Sequence, residues 1–269
     1  MTALTDLAGF DLGEHELTYD EAKVILYALS VGSPSTDLDH VYERDLVALP
    51  TLACAMGLWA VEAAGRTGAY DPHRSLHASQ TLQMHAPLPA AGTITMRGQV
   101  TEVLDKGSAA LVKVLATSEV FDVGYEIFLP GLGGWGGPRG EKSARREFMP
   151  EHHTAYDTPD NLAALYRLTG DRHPIHIDPV TAQANGFERP ILHGLCTLGI
   201  ATRLAAEVSG RAAHEVAGLS ARLSAPVLPG QMVEVAAGPG DGGEILFEAS
   251  VAGTTVISQG VATFAPPAS

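Results

Sequence analysis

The sequence predicts an α+β fold made of two similar halves, each with one apolar helix and a run of strands. Three observations carry that expectation. Short motifs recur in the same order at an offset of roughly 139 residues, the mark of a duplicated unit. Thus Tyr27-Ala-Leu-Ser-Val-Gly32 echoes Tyr166-Arg-Leu-Thr-Gly170, Pro50-Thr-Leu-Ala-Cys54 echoes Pro190-Ile-Leu-His-Gly194, and Ala86-Pro-Leu-Pro89 echoes Ala225-Pro-Val-Leu-Pro229. Apolar and polar residues alternate in several short segments of each half, which is the side-chain period of a half-buried strand. Each half also holds one apolar stretch of helical length, residues 51–65 and 191–209.

In chain order, Thr18-Tyr-Asp-Glu21 reads as a capping box opening a helix that runs toward Ser30. The Ala-, Leu- and Met-rich helix over 51–65 follows. Strands are expected around 80–87, 93–104, 109–120 and 123–130. The charged stretch Pro138-Arg-Gly-Glu-Lys-Ser-Ala-Arg-Arg146 separates the halves, so the chain divides into 1–137, a linker over 138–150, and 151–269. Beyond the linker, Thr158 is expected to cap a helix with Pro159 at its first position. Asp178-Pro179 opens a short helix stopped by Gly186, and the helix over 191–209 ends at Gly210. Strands then fill 216–224, 231–237, 244–252 and 255–264.

Composition limits the function classes. The chain has 269 residues, 45% of them hydrophobic, and a formal net charge of −14. That charge argues against general nucleic-acid or anionic-membrane binding, and a polyanionic ligand would need locally placed Lys or Arg. Two cysteines, Cys54 and Cys196, lie in apolar surroundings and form no disulfide framework, which fits a reducing cytoplasm. The first residues lack a basic start and an apolar core, no apolar run reaches membrane-spanning length, and Pro-Pro-Ala-Ser at the end is no peroxisomal address.

The chemistry concentrates in residues 166–182, Tyr-Arg-Leu-Thr-Gly-Asp-Arg-His-Pro-Ile-His-Ile-Asp-Pro-Val-Thr-Ala. Asp171 and His176 stand on one proline-stiffened loop, an acid and an imidazole that can hold a water and divide proton transfer. Downstream, Gly194 lies near the start of the apolar helix. A backbone N–H in a first helical turn has no intrahelical partner and sits at the positive dipole end. It can therefore donate to an oxygen on which charge develops. Asp171, His173, His176 and His193 also have the residue types of a zinc site, a weaker reading than the metal-free one. Gly131-Leu-Gly-Gly-Trp-Gly136 matches G-x-G-x-x-G, but Gly137-Pro-Arg-Gly140 follows where a dinucleotide site needs a helix. It reads as a flexible loop.

Tyr166, Leu168, Thr169, Gly170, Asp171, Pro174, Ile175, His176 and Ala182 together resemble the signature of the (R)-specific enoyl-CoA hydratases, the hydratase-2 branch of the MaoC-like hot-dog proteins. Tyr27-Ala-Leu, Leu49-Pro-Thr51, Leu76-His77, Asp105-Lys-Gly-Ser108 and Gly133-Gly-Trp-Gly-Gly137 extend the resemblance to the double hot-dog enzymes, such as the hydratase part of peroxisomal multifunctional enzyme type 2. The resemblance implies a double hot-dog, each sheet wrapped around a long helix. It implies reversible hydration of a trans-2-enoyl-CoA to a (3R)-3-hydroxyacyl-CoA, with Asp171 and His176 activating water and Gly194 N–H in the oxyanion hole. No cofactor is implied beyond the coenzyme A of the substrate, and no metal.

The same resemblance assigns substrate or coenzyme A contacts to His77, Ala78, Lys106 and Leu223, where the family has Gly at Ala78 and often Phe at Leu223. His173 replaces the family Asn. A neutral imidazole keeps one donor and one acceptor there, but unlike an amide it charges near neutral pH. The first half has no acid–histidine pair at Gly32, so its expected role is binding the acyl and coenzyme A parts. A homodimer is expected because hot-dog proteins commonly pair their sheets. Other readings stay open: a dehydratase of the same fold on a dicarboxylyl, steroid side-chain or carrier-bound thioester, or a non-catalytic acyl-CoA binding protein.

Overall fold

The computed structural model describes residues 3–141 and 145–265. Part of the linker expected over 138–150, the first two residues and the terminal Pro-Pro-Ala-Ser therefore lie outside the described residues. The strands are β1 (Asp11–Tyr19), β2 (Leu76–Met84), β3 (Gly92–Asp105), β4 (Ala109–Thr117), β5 (Phe121–Pro130), β6 (His152–Asp157), β7 (Val216–Leu223), β8 (Met232–Pro239), β9 (Ile245–Val251) and β10 (Thr254–Phe264). They form one ten-stranded sheet in the order β1-β3-β4-β5-β2-β7-β10-β9-β8-β6. The first five positions and the last five, read from opposite edges, have the same internal order. The repeat seen in the sequence is thus a repeat of topology, a double hot-dog.

The halves join where β2 pairs antiparallel with β7, with Ser79 facing Arg222 and Leu82 facing Leu219. Every other strand pair is also antiparallel. In the second half, α7 (Gly194–Val208) is buried from Leu195 through Ala206 and touches all five strands of its half. A largely apolar helix buried on every side belongs inside a sheet that curls around it.

The corresponding helix of the first half is broken. Instead of one helix over 51–65, α3 (Leu52–Met56) and α4 (Trp59–Arg66) follow α1 (Glu21–Ser30) and α2 (Leu38–Val41). The break falls at Gly57, where an added Cβ would stand 2.3 Å from Val123 Cγ2 and 2.7 Å from the Tyr125 hydroxyl. The backbone presses onto β5 there, and only glycine permits that approach.

Two expected caps are displaced. Asp20, not Thr18, caps α1 by accepting the Lys23 N–H, while Thr18 stays in β1 and bonds the Thr93 hydroxyl at 2.9 Å. Thr158 caps no helix: its hydroxyl donates to the Gln231 carbonyl at 2.7 Å and accepts the Gly230 N–H, tying β6 to the turn before β8. The helix after it, α5 (Leu162–Tyr166), starts later, at Asn161. The short helix α6 (Pro179–Ala184) begins as expected, with Asp178 accepting from Val180 and Thr181. Two strands carry no clear alternation in the sequence, β1 and β6. Both are sheet edges, exposed along much of their length, and β1 carries Asp11, Glu14 and Glu16. Charged edges oppose pairing with other sheets.

The halves also interlock away from the seam. On α7, a Cβ at Gly199 would lie 2.6 Å from Val31 and 2.9 Å from the Tyr27 hydroxyl. The buried Arg203 donates to the Val31 carbonyl at 2.9 Å and to both oxygens of Glu207. Among the described residues, no helix is long and apolar enough to cross a membrane.

Candidate active site

The loop between α5 and α6 is shaped by its own residues. Gly170 takes φ +155°, a conformation side chains disfavour, and so turns the chain into Asp171. Asp171 Oδ1 accepts the His173 N–H at 3.1 Å, His173 Nδ1 accepts the Ile175 N–H at 3.2 Å, and Pro174 opens a single 3₁₀ turn ending at His176. The remaining carboxylate oxygen, Asp171 Oδ2, faces His176 Nε2 at 3.8 Å. That gap is too long for a direct hydrogen bond, yet a water about 2.8 Å from each atom would touch both.

The protonation pattern follows from the partners. His176 Nδ1 lies 2.9 Å from the Ile191 carbonyl, which can only accept, so Nδ1 carries the proton and Nε2 offers its lone pair toward Asp171. Burial holds the His176 pKa below its usual value, although the Asp171 charge and the Ile191 bond pull it up. A carboxylate oxygen and an imidazole lone pair thus converge, two acceptors suited to the two protons of one water.

His193, fully buried at the N-cap of α7, completes the cluster. Its ring stacks on His176 with centroids 3.8 Å apart and planes 27° apart, and its Nε2–H donates to the Asp171 carbonyl at 3.1 Å. Burial drives its pKa down to about 3, so the ring is neutral. Asp171, His176 and His193 each offer a ligand atom within 4.8 Å of the others, the residues that by distance can hold a metal ion. With the His193 Nε2–H engaged by the Asp171 carbonyl, only its Nδ1 is left to ligate.

Gly194 is the first residue of α7, where its N–H has no acceptor within the helix. A Cβ on it would stand 2.1 Å from Leu223 Cδ2. The glycine therefore makes room for Leu223, which the sequence does not reveal. Leu223 ends β7, beside the Ser79–Arg222 pair, and β2 bulges there: His77 faces Ile127, Ser79 faces Glu126, and Ala78 is left over. The Asp171 charge acts on the His77 ring, which burial lowers to about 4. His77, Ala78, Leu223 and Gly194 thus gather with Asp171 and His176 at the seam.

Lys106 lies apart from this cluster, in the turn between β3 and β4, with its ammonium donating to the Arg139 carbonyl. The register sets that turn at the same end of the sheet as His77, since Ala109 faces Pro130 and Leu76 faces Phe128. The adjoining glycine-rich loop is occupied by the protein itself. Asp105 accepts from the Gly107, Gly134 and Gly136 N–H groups at 2.7–2.8 Å, and these donors, Gly134 foremost, hold its carboxyl down at about 2. A nest of N–H groups that elsewhere suits a phosphate here binds a carboxylate of its own chain.

Residues 17–129 match the MFE-2 hydratase 2 N-terminal domain, and residues 143–261 match the MaoC like domain. The chain belongs to the MaoC-like hydratase-2 family. It is 37% identical over 254 residues to 3-hydroxyacyl-thioester dehydratase Y of Mycobacterium tuberculosis, covering 88% of this chain and 87% of that one. It is 34% identical to a probable enoyl-CoA hydratase 2 of Dictyostelium discoideum, covering 94% and 92%. The peroxisomal multifunctional relatives are longer: the chain spans 42% of the Drosophila melanogaster enzyme, at 33% identity. Among solved structures, a MaoC-like dehydratase from Phytophthora capsici superposes with a TM-score of 0.88 at 25% identity over 99% of both chains.

In this hydratase-2 chain the glycine–leucine contact gives a direct test. Gly194→Ala is expected to lower stability by about 1–3 kcal/mol through overpacking. Adding Leu223→Ala should recover part of that loss, since the two sites touch. Additive effects in chemical denaturation would show that Leu223 does not rest on Gly194.

Proposed function

We propose that the protein reversibly hydrates trans-2-enoyl-CoA to (3R)-3-hydroxyacyl-CoA, with Asp171 and His176 activating one water and Gly194 binding the thioester oxygen. The observation that carries this reading is the 3.8 Å gap between Asp171 Oδ2 and the His176 Nε2 lone pair, beside the N-terminus of α7. As the water oxygen bonds C3, one water O–H breaks and its proton passes to the Asp171–His176 pair. Charge moves through C2 to the thioester oxygen, where the Gly194 N–H stabilises it. The proton then returns from the pair to C2, so oxygen and hydrogen both come from one side. The reverse sequence eliminates water.

The first half serves binding in this proposal. His77, Ala78 and Leu223 border the reacting carbons, and Lys106 supplies positive charge for coenzyme A phosphates in an otherwise acidic protein. No metal or cofactor takes part. Two buried free cysteines favour the cytoplasm, although several relatives are named peroxisomal. A homodimer is the proposed assembly by resemblance, and a light-scattering mass of 28.1 kDa, one chain, would reject it. A second reading, dehydration of another 3-hydroxyacyl thioester, is favoured by the name of the mycobacterial relative, which specifies neither acyl group nor carrier.

The deciding assay follows loss of the enoyl-thioester absorbance with crotonyl-CoA and longer enoyl-CoAs, with chiral analysis of the product. No turnover, or an (S) product, rejects the proposal. Activity on carrier-bound substrates alone favours the second reading.

His173 modulates the acid limb. Burial first, then the nearby His176, lowers its pKa, so it is neutral at pH 7 and charges only on acidification. Once charged it can no longer accept the Ile175 N–H, and it opposes a proton on His176. Activity of the parent should therefore fall more steeply below pH 6.5 than that of His173→Asn. Superimposable pH–rate profiles would remove this role.

A further inference from the structure

We propose that His193 is a positioning residue, fixing both Asp171 and His176 so that the water-holding gap is set before substrate arrives. The inference rests on the hydration reading and assigns a task to a side chain that touches neither water nor substrate in it.

Two contacts define the task. The Nε2–H bond to the Asp171 carbonyl, at 3.1 Å, ties the backbone of the acid to the start of α7. The ring stack on His176, at 3.8 Å, fixes the plane in which the His176 Nε2 lone pair lies. Behind His193, the Tyr166 ring packs at 4.8 Å, and behind that the Tyr27 ring at 6.0 Å. Tyr27, Tyr166 and His193 are all buried, so a column of rings runs from the core to His176. The same residue is the N-cap of α7, directly before Gly194. One side chain therefore links the acid, the base and the helix start that carries the oxyanion donor.

A conflict with packing alone supports the assignment. Donation from Nε2 leaves a lone pair on Nδ1, and that atom is buried with no hydrogen-bond partner. An unpaired buried acceptor costs on the order of 1–3 kcal/mol, which a phenylalanine would avoid while filling the ring space. A cost retained beside reacting groups is expected where geometry serves chemistry. His193 also takes no part as an acid, because its N–H at Nε2 is engaged by the Asp171 carbonyl and its Nδ1 is buried.

Replacement separates the contacts. His193→Phe keeps a stacking ring and loses the donor, whereas His193→Asn keeps a donor and loses the stack. Each should lower kcat about tenfold or more, and His193→Ala on the order of 10²-fold, with KM within about threefold of the parent. Nitrogen NMR of the His176 ring gives a readout independent of turnover: the parent holds the proton on Nδ1 against the Ile191 carbonyl, and in His193→Asn the unstacked ring should turn off Ile191 and mix the two tautomers. If the parent proves inactive toward enoyl thioesters, the hydration reading fails, while the tautomer measurement still tests the positioning. Should His193→Ala not fold, the Phe and Asn variants carry the test. Unchanged kcat in both with an unchanged His176 tautomer, or a rise confined to KM, would overturn the proposal.

Discussion

Asp171→Asn and His176→Ala are each expected to reduce turnover by about 10²–10⁴-fold, the range for loss of a positioned proton-transfer group. Neither change should unfold the protein. Asn keeps an oxygen that can accept the His173 N–H, so the loop retains its turn, but the atom facing His176 no longer takes a proton. His176→Ala opens a space beside His193 without removing a buried bond other than the one to Ile191. In the proposed step the two residues share one water, so their effects should be far from additive, with the double variant barely worse than the poorer single one. Full additivity, measured as kcat/KM on one enoyl-CoA, would mean that they act in separate steps.

Acidification is expected to cost several kcal/mol of stability before ordinary acid denaturation begins. Four histidines around the site, His77, His173, His176 and His193, have folded-state pKa values pushed below the usual 6.5, chiefly by burial. Above pH 6.5 neither state binds these protons and stability is full. Below it the unfolded chain takes up protons that the folded chain refuses, so stability falls. The decline continues to about pH 4 for His77 and about pH 3 for His193, each contributing about 1.4 kcal/mol per pH unit. Asp105, held at about 2, adds a loss in the same direction below its usual range. Urea midpoints between pH 7.5 and 5 read the effect, and His77→Asn should flatten the curve by one proton. A midpoint independent of pH across that interval would show that these rings are hydrated in the folded protein.

Much of the site was legible because its chemistry is local. Asp171, His173, Pro174 and His176 hold one another through bonds spanning two or three residues, and such bonds follow from residue type and spacing. Gly194 was legible from its place at a helix start. His193, by contrast, stood out only as one of several metal-ligating residue types, since nothing in its neighbours announces a ring stack. The strands β1 and β6 are not legible because their inward positions are mostly half-buried and include polar residues, His15 and Thr154, which mask the apolar alternation. The helix over 51–65 read as continuous because its composition is helical throughout, and its break depends on Val123 and Tyr125, residues distant in the chain.

The duplication, the α+β class and the candidate acid, imidazole and helix-start glycine of 166–194 are legible in the chain alone. These depend on periodicity, turn chemistry and capping, all set within a few residues. Only the tertiary structure decided that β2 pairs with β7, bringing the His77–Ala78 bulge and Leu223 to Gly194, and that His193 lies on His176. It alone decided that Asp105 fills the glycine-rich loop. The physical reason is common to all of these. A hydrogen-bond donor, a ring face or a missing Cβ declares what it can contact, but register and packing between distant segments choose the partner.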